Sequence, residues 1–212
     1  MFFTILFLAT SLCQANAVQS PNFIHSLYIG ALGGYGSTTW EGMVPALQNQ
    51  NSALSMSTPI SADEGGGVWG FFTGYEFSDF FAVEVSYINY PNAVITFDTM
   101  SLFSFDHNDQ TSFSTDTETV NIMGKVMLQV PKTKFRIYSS AGVANVHRED
   151  MISNQWHPGP TFGVGINYKF NEHVMAEVNG NYTAGFGESQ LNPADTYIPF
   201  LYTGNFRLAF FF

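Results

Sequence analysis

Asn205–Phe212, reading NFRLAFFF, is the stretch that decides the fold. In an extended chain Phe206, Leu208, Phe210 and Phe212 share one face, while Asn205, Arg207 and Ala209 share the other. A strand this apolar is an aggregation hazard if one edge stays open. It is therefore expected to pair on both sides, with the first strand of the chain as its second neighbour. That pairing closes a barrel.

Working outward, seven further segments alternate in the same way, near 26–37, 66–77, 81–92, 117–130, 134–147, 158–170 and 174–186, with the last at 200–212. In the sixth, Phe162, Val164, Ile166, Tyr168 and Phe170 oppose Thr161, Gly163, Gly165, Asn167 and Lys169. The connections at Ser78-Asp79, Pro131–Lys134 and Asn171–His173 are short, whereas 38–65, 93–116, 148–157 and 187–199 are long. Short turns at one end and long loops at the other are the outer-membrane pattern. The expected fold class is all-β, an eight-stranded antiparallel up-and-down transmembrane β-barrel with periplasmic turns and external loops.

Composition says which face meets the solvent. Charged residues make up 11% of the chain, against about 25% in soluble domains. The polar faces carry Gly, Ala, Ser and Asn rather than the dense charge of a wet exterior, which argues against a soluble lipocalin-like barrel. Lys or Arg facing lipid near mid-membrane costs about 2–4 kcal/mol. Lys125, Arg136, Lys169 and Arg207 are therefore assigned to the interior with Glu84 and Glu177, and Glu76 near a turn. The bore of eight strands is just wide enough for side chains, so these charges must meet one another or trapped water. Two readings stay open: a polar filling, or a gate in which Glu84 or Glu177 exchanges partners between Lys125 and Arg207. The glycines of the first two strands read as barrel curvature. Trp40, Trp69, Trp156, Tyr35, Tyr75, Tyr87 and Tyr202 read as interfacial girdles.

The beginning, MFFTILFLATSLCQANA, has an apolar run over 2–12 and a small-residue site at Ala15-Asn16-Ala17. It reads as a signal peptide over 1–17, leaving 18–212 as one barrel domain. Leu12 is too bulky for a lipoprotein site before Cys13, and cleavage removes that lone cysteine. No apolar run of 18 residues follows, so any membrane crossing is by strands.

The net charge is −10. Asp98, Asp106, Asp109, Asp116 and Glu118 are assigned to the long loops, giving an acidic rim that disfavours nucleic acid. Such a rim suits divalent-cation bridges to lipopolysaccharide, or a basic host-surface ligand. Asp106-His107-Asn108-Asp109 lacks EF-hand spacing, so no metal is assigned, and nothing calls for a cofactor. His147 and His157, flanking the third loop with Asp150 and Ser153, are the best sketch of a lipid hydrolase. No nucleophile motif supports it, and no catalytic residue is assigned.

The stretches SLYIGALGGYG at 26–36, FRIYSSAGVANVHRE at 135–149 and PTFGVGINYKFNEHVMAEVNGNY at 160–182 resemble the small eight-stranded outer-membrane proteins. These comprise the OmpA-like transmembrane domain and its porin-family and opacity-type relatives. The resemblance implies residence in the outer membrane of a Gram-negative bacterium. It also implies a closing-strand signal for the barrel-assembly machinery, matched by Phe212 with Phe206, Leu208 and Phe210. Ala144 departs from it, standing where relatives commonly have a second glycine after Gly142, and no counterpart to OmpA's wall-binding domain is expected. The expected role is a non-enzymatic surface protein supporting envelope integrity or adhesion through its loops. The alternatives are a small low-conductance channel and, third, an outer-leaflet lipid enzyme. Mass spectrometry of the processed protein is expected to find Val18 at the N-terminus; retention of Cys13 would refute the assigned cleavage.

Overall fold

The computed structural model describes residues 27–40, 59–101, 108–186 and 197–212. The signal-peptide reading, Asp106 and His107 lie outside the described residues. Ten strands form among them: β1 Leu27–Ser37, β2 Ser61–Asp63, β3 Gly66–Ser78, β4 Phe81–Asn89, β5 Ala93–Thr96, β6 Ser112–Gln129, β7 Phe135–Glu149, β8 Asn154–Lys169, β9 Val174–Thr183 and β10 Leu201–Phe211. Eight of them close into an antiparallel barrel in the order β1-β3-β4-β6-β7-β8-β9-β10. The last strand pairs on both sides, with β1 from Tyr28↔Phe211 to Ser37↔Tyr202 and with β9 from Leu201↔Thr183 to Phe210↔Val174.

Alternation sorts the side chains as the barrel requires. Ile29, Phe71, Ile122, Val126, Leu128, Val164, Ile166, Val178, Phe206, Leu208 and Phe210 point outward and stay exposed. Glu84, Asn121, Lys125, Asn167, Glu177, Asn205 and Arg207 point inward and are buried. The apolar belt is the surface that lipid covers.

Two strands arise inside the connections expected to be loops. β5 pairs with the first residues of β6, and β2 pairs with β5, making a short sheet beyond the barrel mouth. β6 accordingly begins at Ser112 rather than 117. Asp116 and Glu118 are strand residues opposite Glu149 and His147, which corrects their assignment to a loop. The hydrophobic pattern fades there because both faces become polar once the strand leaves lipid. Alternating threonines at 115, 117 and 119 keep its β propensity.

The third loop shrinks to 150–153 because β8 starts at Asn154. Pro158 and Pro160 lie inside that strand, opposite Asn145 and Val143. Ala184 donates its N–H to the Pro160 carbonyl at 3.0 Å, so the ladder side of Pro160 faces away from β7 and the missing N–H breaks no β7 bond. Trp40 is also corrected. It is 1% exposed, packed with Ala93, Ile95, Phe97, Phe113 and Tyr197 in a small apolar core above the barrel rather than in a girdle.

Close approach of β6 and β7 depends on Gly142, where a Cβ would lie 1.9 Å from the Ile122 carbonyl oxygen. Gly67 has open space within 4 Å. Gly142→Ala is expected to lose about 1–3 kcal/mol in urea refolding into lipid, and Gly67→Ala less than about 0.5 kcal/mol. Equal losses at both positions would remove the close-packing explanation.

Candidate functional site

Period-two geometry aims four charges at one level of the bore: Glu84 from β4, Lys125 from β6, Glu177 from β9 and Arg207 from β10. Arg207 and Glu177 are direct cross-strand neighbours. Lys125 Nζ lies 3.0 Å from Glu84 Oε2 and 3.0 Å from Glu177 Oε2. The Arg207 guanidinium completes the ring, with Nη2 on Glu84 Oε1 and Nη1 on Glu177 Oε1. Each cation thus touches both carboxylates, and the ring is neutral. Tyr28 donates its hydroxyl to Glu84 at 3.1 Å, and Tyr138 donates to Glu177. The Lys125 ammonium stands 4.2 Å over the Tyr138 ring, and Arg207 stands 3.7 Å over Phe72. All four charged side chains are at most 2% exposed. At that depth only mutual pairing offsets desolvation.

A second cluster sits toward the turns. Glu76 receives Arg136 at 2.6 Å and Lys169 at 2.7 Å, and Arg136 Nε donates to Asn167 at 2.9 Å. Below it opens a vestibule of about 260 Å³ bordered by Asp79, Gln129, Lys134 and Glu172. Above the central ring comes a layer of amides and hydroxyls, in which Asn205 donates to Asn179 at 3.2 Å and Asn121 to Ser86 at 3.2 Å. Higher still the bore turns apolar, with Ile88, Val146, Ile198 and Leu201 buried together. Arg148 caps this end, bound to Asp150 at 2.6 Å and to the Tyr197 carbonyl at 2.7 Å, with its guanidinium 4.9 Å over Trp40. Burial pushes the Tyr197 hydroxyl pKa up, and Glu64 adds to the shift. The arrangement fills the lumen with paired charge, amide and hydrocarbon in succession.

The six interior charges singled out from the sequence fall into these two clusters, four in the ring and Arg136 with Lys169 beside Glu76. Phe206, Leu208, Phe210 and Phe212 all face outward and are exposed. Asp98 and Asp109 lie in the connection between β5 and β6. The hydrolase sketch is not assembled. His147 and His157 are one register step apart and occupy opposite faces of the β7–β8 pair. His147 is held by Glu118 and Asn154, while His157 stacks 6.1 Å from Phe186. Sequence reasoning missed Tyr28 and Tyr138. Their inward parity was the available signal, obscured because tyrosine also suits the outer girdle.

The family model for the outer membrane protein beta-barrel domain matches residues 4–210. The chain belongs to that family. It therefore resides in the bacterial outer membrane. Among solved structures, this family member is similar to the N-terminal barrel domain of Pseudomonas aeruginosa OprF at 14% identity, covering 88% of this chain and 97% of that one with a TM-score of 0.50. Neisserial surface protein A gives 11%, the same coverages and 0.51. OprG of Pseudomonas aeruginosa gives 13%, the same coverages and 0.50. At these identities the likeness is one of fold. No curated protein sequence matches the chain.

Lys125→Met removes one corner of the ring and leaves Glu84 and Glu177 competing for Arg207. It is expected to destabilise the folded barrel by about 3–5 kcal/mol. The double replacement of Lys125 and Glu84 by Met and Gln keeps the neutral Arg207–Glu177 pair and should recover part of that loss. A single variant as stable as the parent in urea titration would deny the ring its structural role.

Proposed function

We propose that this outer-membrane barrel is a non-enzymatic surface protein whose packed interior makes a rigid stand for the segments outside the membrane. It would support envelope integrity or adhesion to a partner. The observation that carries the reading is the filled lumen, blocked at mid-height by the four-charge ring and at the outer end by Ile88, Val146, Ile198, Leu201 and the Trp40–Arg148 cap. Charge supports a choice of partner. Of the seven Lys and Arg residues, Lys125, Arg136, Lys169 and Arg207 point into the bore, Arg148 is buried, and Lys132 and Lys134 lie in the β6–β7 turn. The external side keeps Asp63, Asp98, Asp109, Asp116, Glu118 and Glu149, so a cationic host-surface ligand fits and nucleic acid does not.

One observation favours a low-conductance channel as the second reading. Both carboxylates already touch both cations, so a small shift of Lys125 or Arg207 would rearrange the ring and serve as a gate. Planar-bilayer recording from refolded protein separates the two. Silence is expected from barrels whose folding is verified by a gel shift on boiling. Discrete current steps that change in Lys125→Ala would overturn the stand reading in favour of the channel. Replacing 41–58 and 102–107 with Gly-Ser linkers is expected to abolish cell-surface binding while the barrel still folds.

A further inference from the structure

Five outward residues form one continuous cross-strand row at the upper margin of the apolar belt. Trp69 on β3 stands opposite Asn89 on β4, Asn89 opposite Glu118 on β6, Glu118 opposite His147 on β7, and His147 opposite Trp156 on β8. Four strand spacings give the row a length on the order of 19 Å. Below it the outward face turns apolar within two steps, with Val120 opposite Asn145 and then Ile122 opposite Val143, so the belt sets the row at the headgroup level of the outer leaflet.

The row is built rather than incidental. His147 Nδ1 lies 3.0 Å from Glu118 Oε1, and its Nε2 lies 3.0 Å from Asn154 Oδ1, which fixes the imidazole at both nitrogens. The ring lies parallel to the Trp156 indole, 4.6 Å away at 12°. Tyr87 donates its hydroxyl to Glu118 at 2.5 Å, and its ring sits 5.9 Å from Trp69. Both indoles are about half exposed, at 51% for Trp69 and 43% for Trp156. The central carboxylate is thus held in place between two broad aromatic faces.

We propose that this row binds the saccharide headgroup of lipopolysaccharide from the surrounding leaflet. An indole face packs against the C–H face of a pyranose ring, and aromatic residues with one wet edge suit such an interface. Glu118 accepts from sugar hydroxyls through charge-assisted hydrogen bonds, and the Asn89 and Asn154 amides both donate and accept. The row holds no Lys or Arg, and the next cross-strand pair toward the outside is Asp116 opposite Glu149. That doubled negative charge repels bare phosphate, so the sugar is the part recognised. The site lies on strand faces, so it goes beyond the proposed function and needs none of the long loops.

The chain's three tryptophans supply the test. Full-length mature protein carrying ¹⁵N-tryptophan is placed in nanodiscs of phospholipid alone or of phospholipid with rough lipopolysaccharide, and the indole N–H resonances are compared. The Trp69 and Trp156 signals are expected to move when lipopolysaccharide is present. Trp40, 1% exposed in the upper core, stays as the internal control. Glu118→Gln and Trp156→Leu are each expected to weaken lipopolysaccharide binding about tenfold. Unmoved Trp69 and Trp156 signals, or parental lipopolysaccharide retention by gel-shift-positive Glu118→Gln protein, would overturn the proposal. If Trp156→Leu fails to fold, the parental spectra and Glu118→Gln still decide. Protein with 41–58 replaced should keep the spectral change, so failure of the loop reading and failure of this one are distinguishable.

Discussion

Every backbone N–H and C=O that crosses lipid must find its partner within the protein, and in this chain the pairing of β10 with β1 meets that demand. Closure with eight strands leaves a bore only as wide as the side chains that fill it. Lipid outside excludes charge and the narrow bore admits little water. Glu84, Lys125, Glu177 and Arg207 are therefore driven onto one another, and the neutral ring follows from the closure. The hydroxyls of Tyr28 and Tyr138 then occupy lone pairs that the cations leave open.

Charge is sorted by the same constraint. Basic side chains are confined to the bore, the capped mouth and the β6–β7 turn, while most described carboxylates in excess of the interior pairs lie at the opposite, loop end, with Asp79 and Glu172 in the short turns. β6 records the change of solvent along one strand. Leu128, Val126 and Ile122 face lipid, and beyond Val120 the same face carries Glu118, Asp116 and Ser114. The polar end is held by β5 and β2 on one side and by β7 and β8 on the other, with Trp40 and Phe97 supplying a small core of their own. Among the described residues the outer ends of β6, β7 and β8 thus continue the barrel wall, and their side chains project from a sheet.

Period-two alternation is a local property, written into neighbouring residues, and the sequence by itself determined what depends on it. The apolar belt, the eight crossing strands, the turn and loop ends, and the inward aim of Glu84, Lys125, Glu177 and Arg207 all belong there. Tertiary structure decided what depends on register between strands far apart in the chain. That Lys125 reaches both carboxylates, that Arg136 and Lys169 share Glu76 instead of joining the ring, and that His147 and His157 face opposite ways are consequences of stagger. No single strand encodes them. Beyond the membrane both faces of a strand turn polar and the alternation of hydrophobicity disappears. The strand character of Asp116 and Glu118, the existence of β2 and β5, and the Trp69–Trp156 row therefore emerged only once the strands were paired.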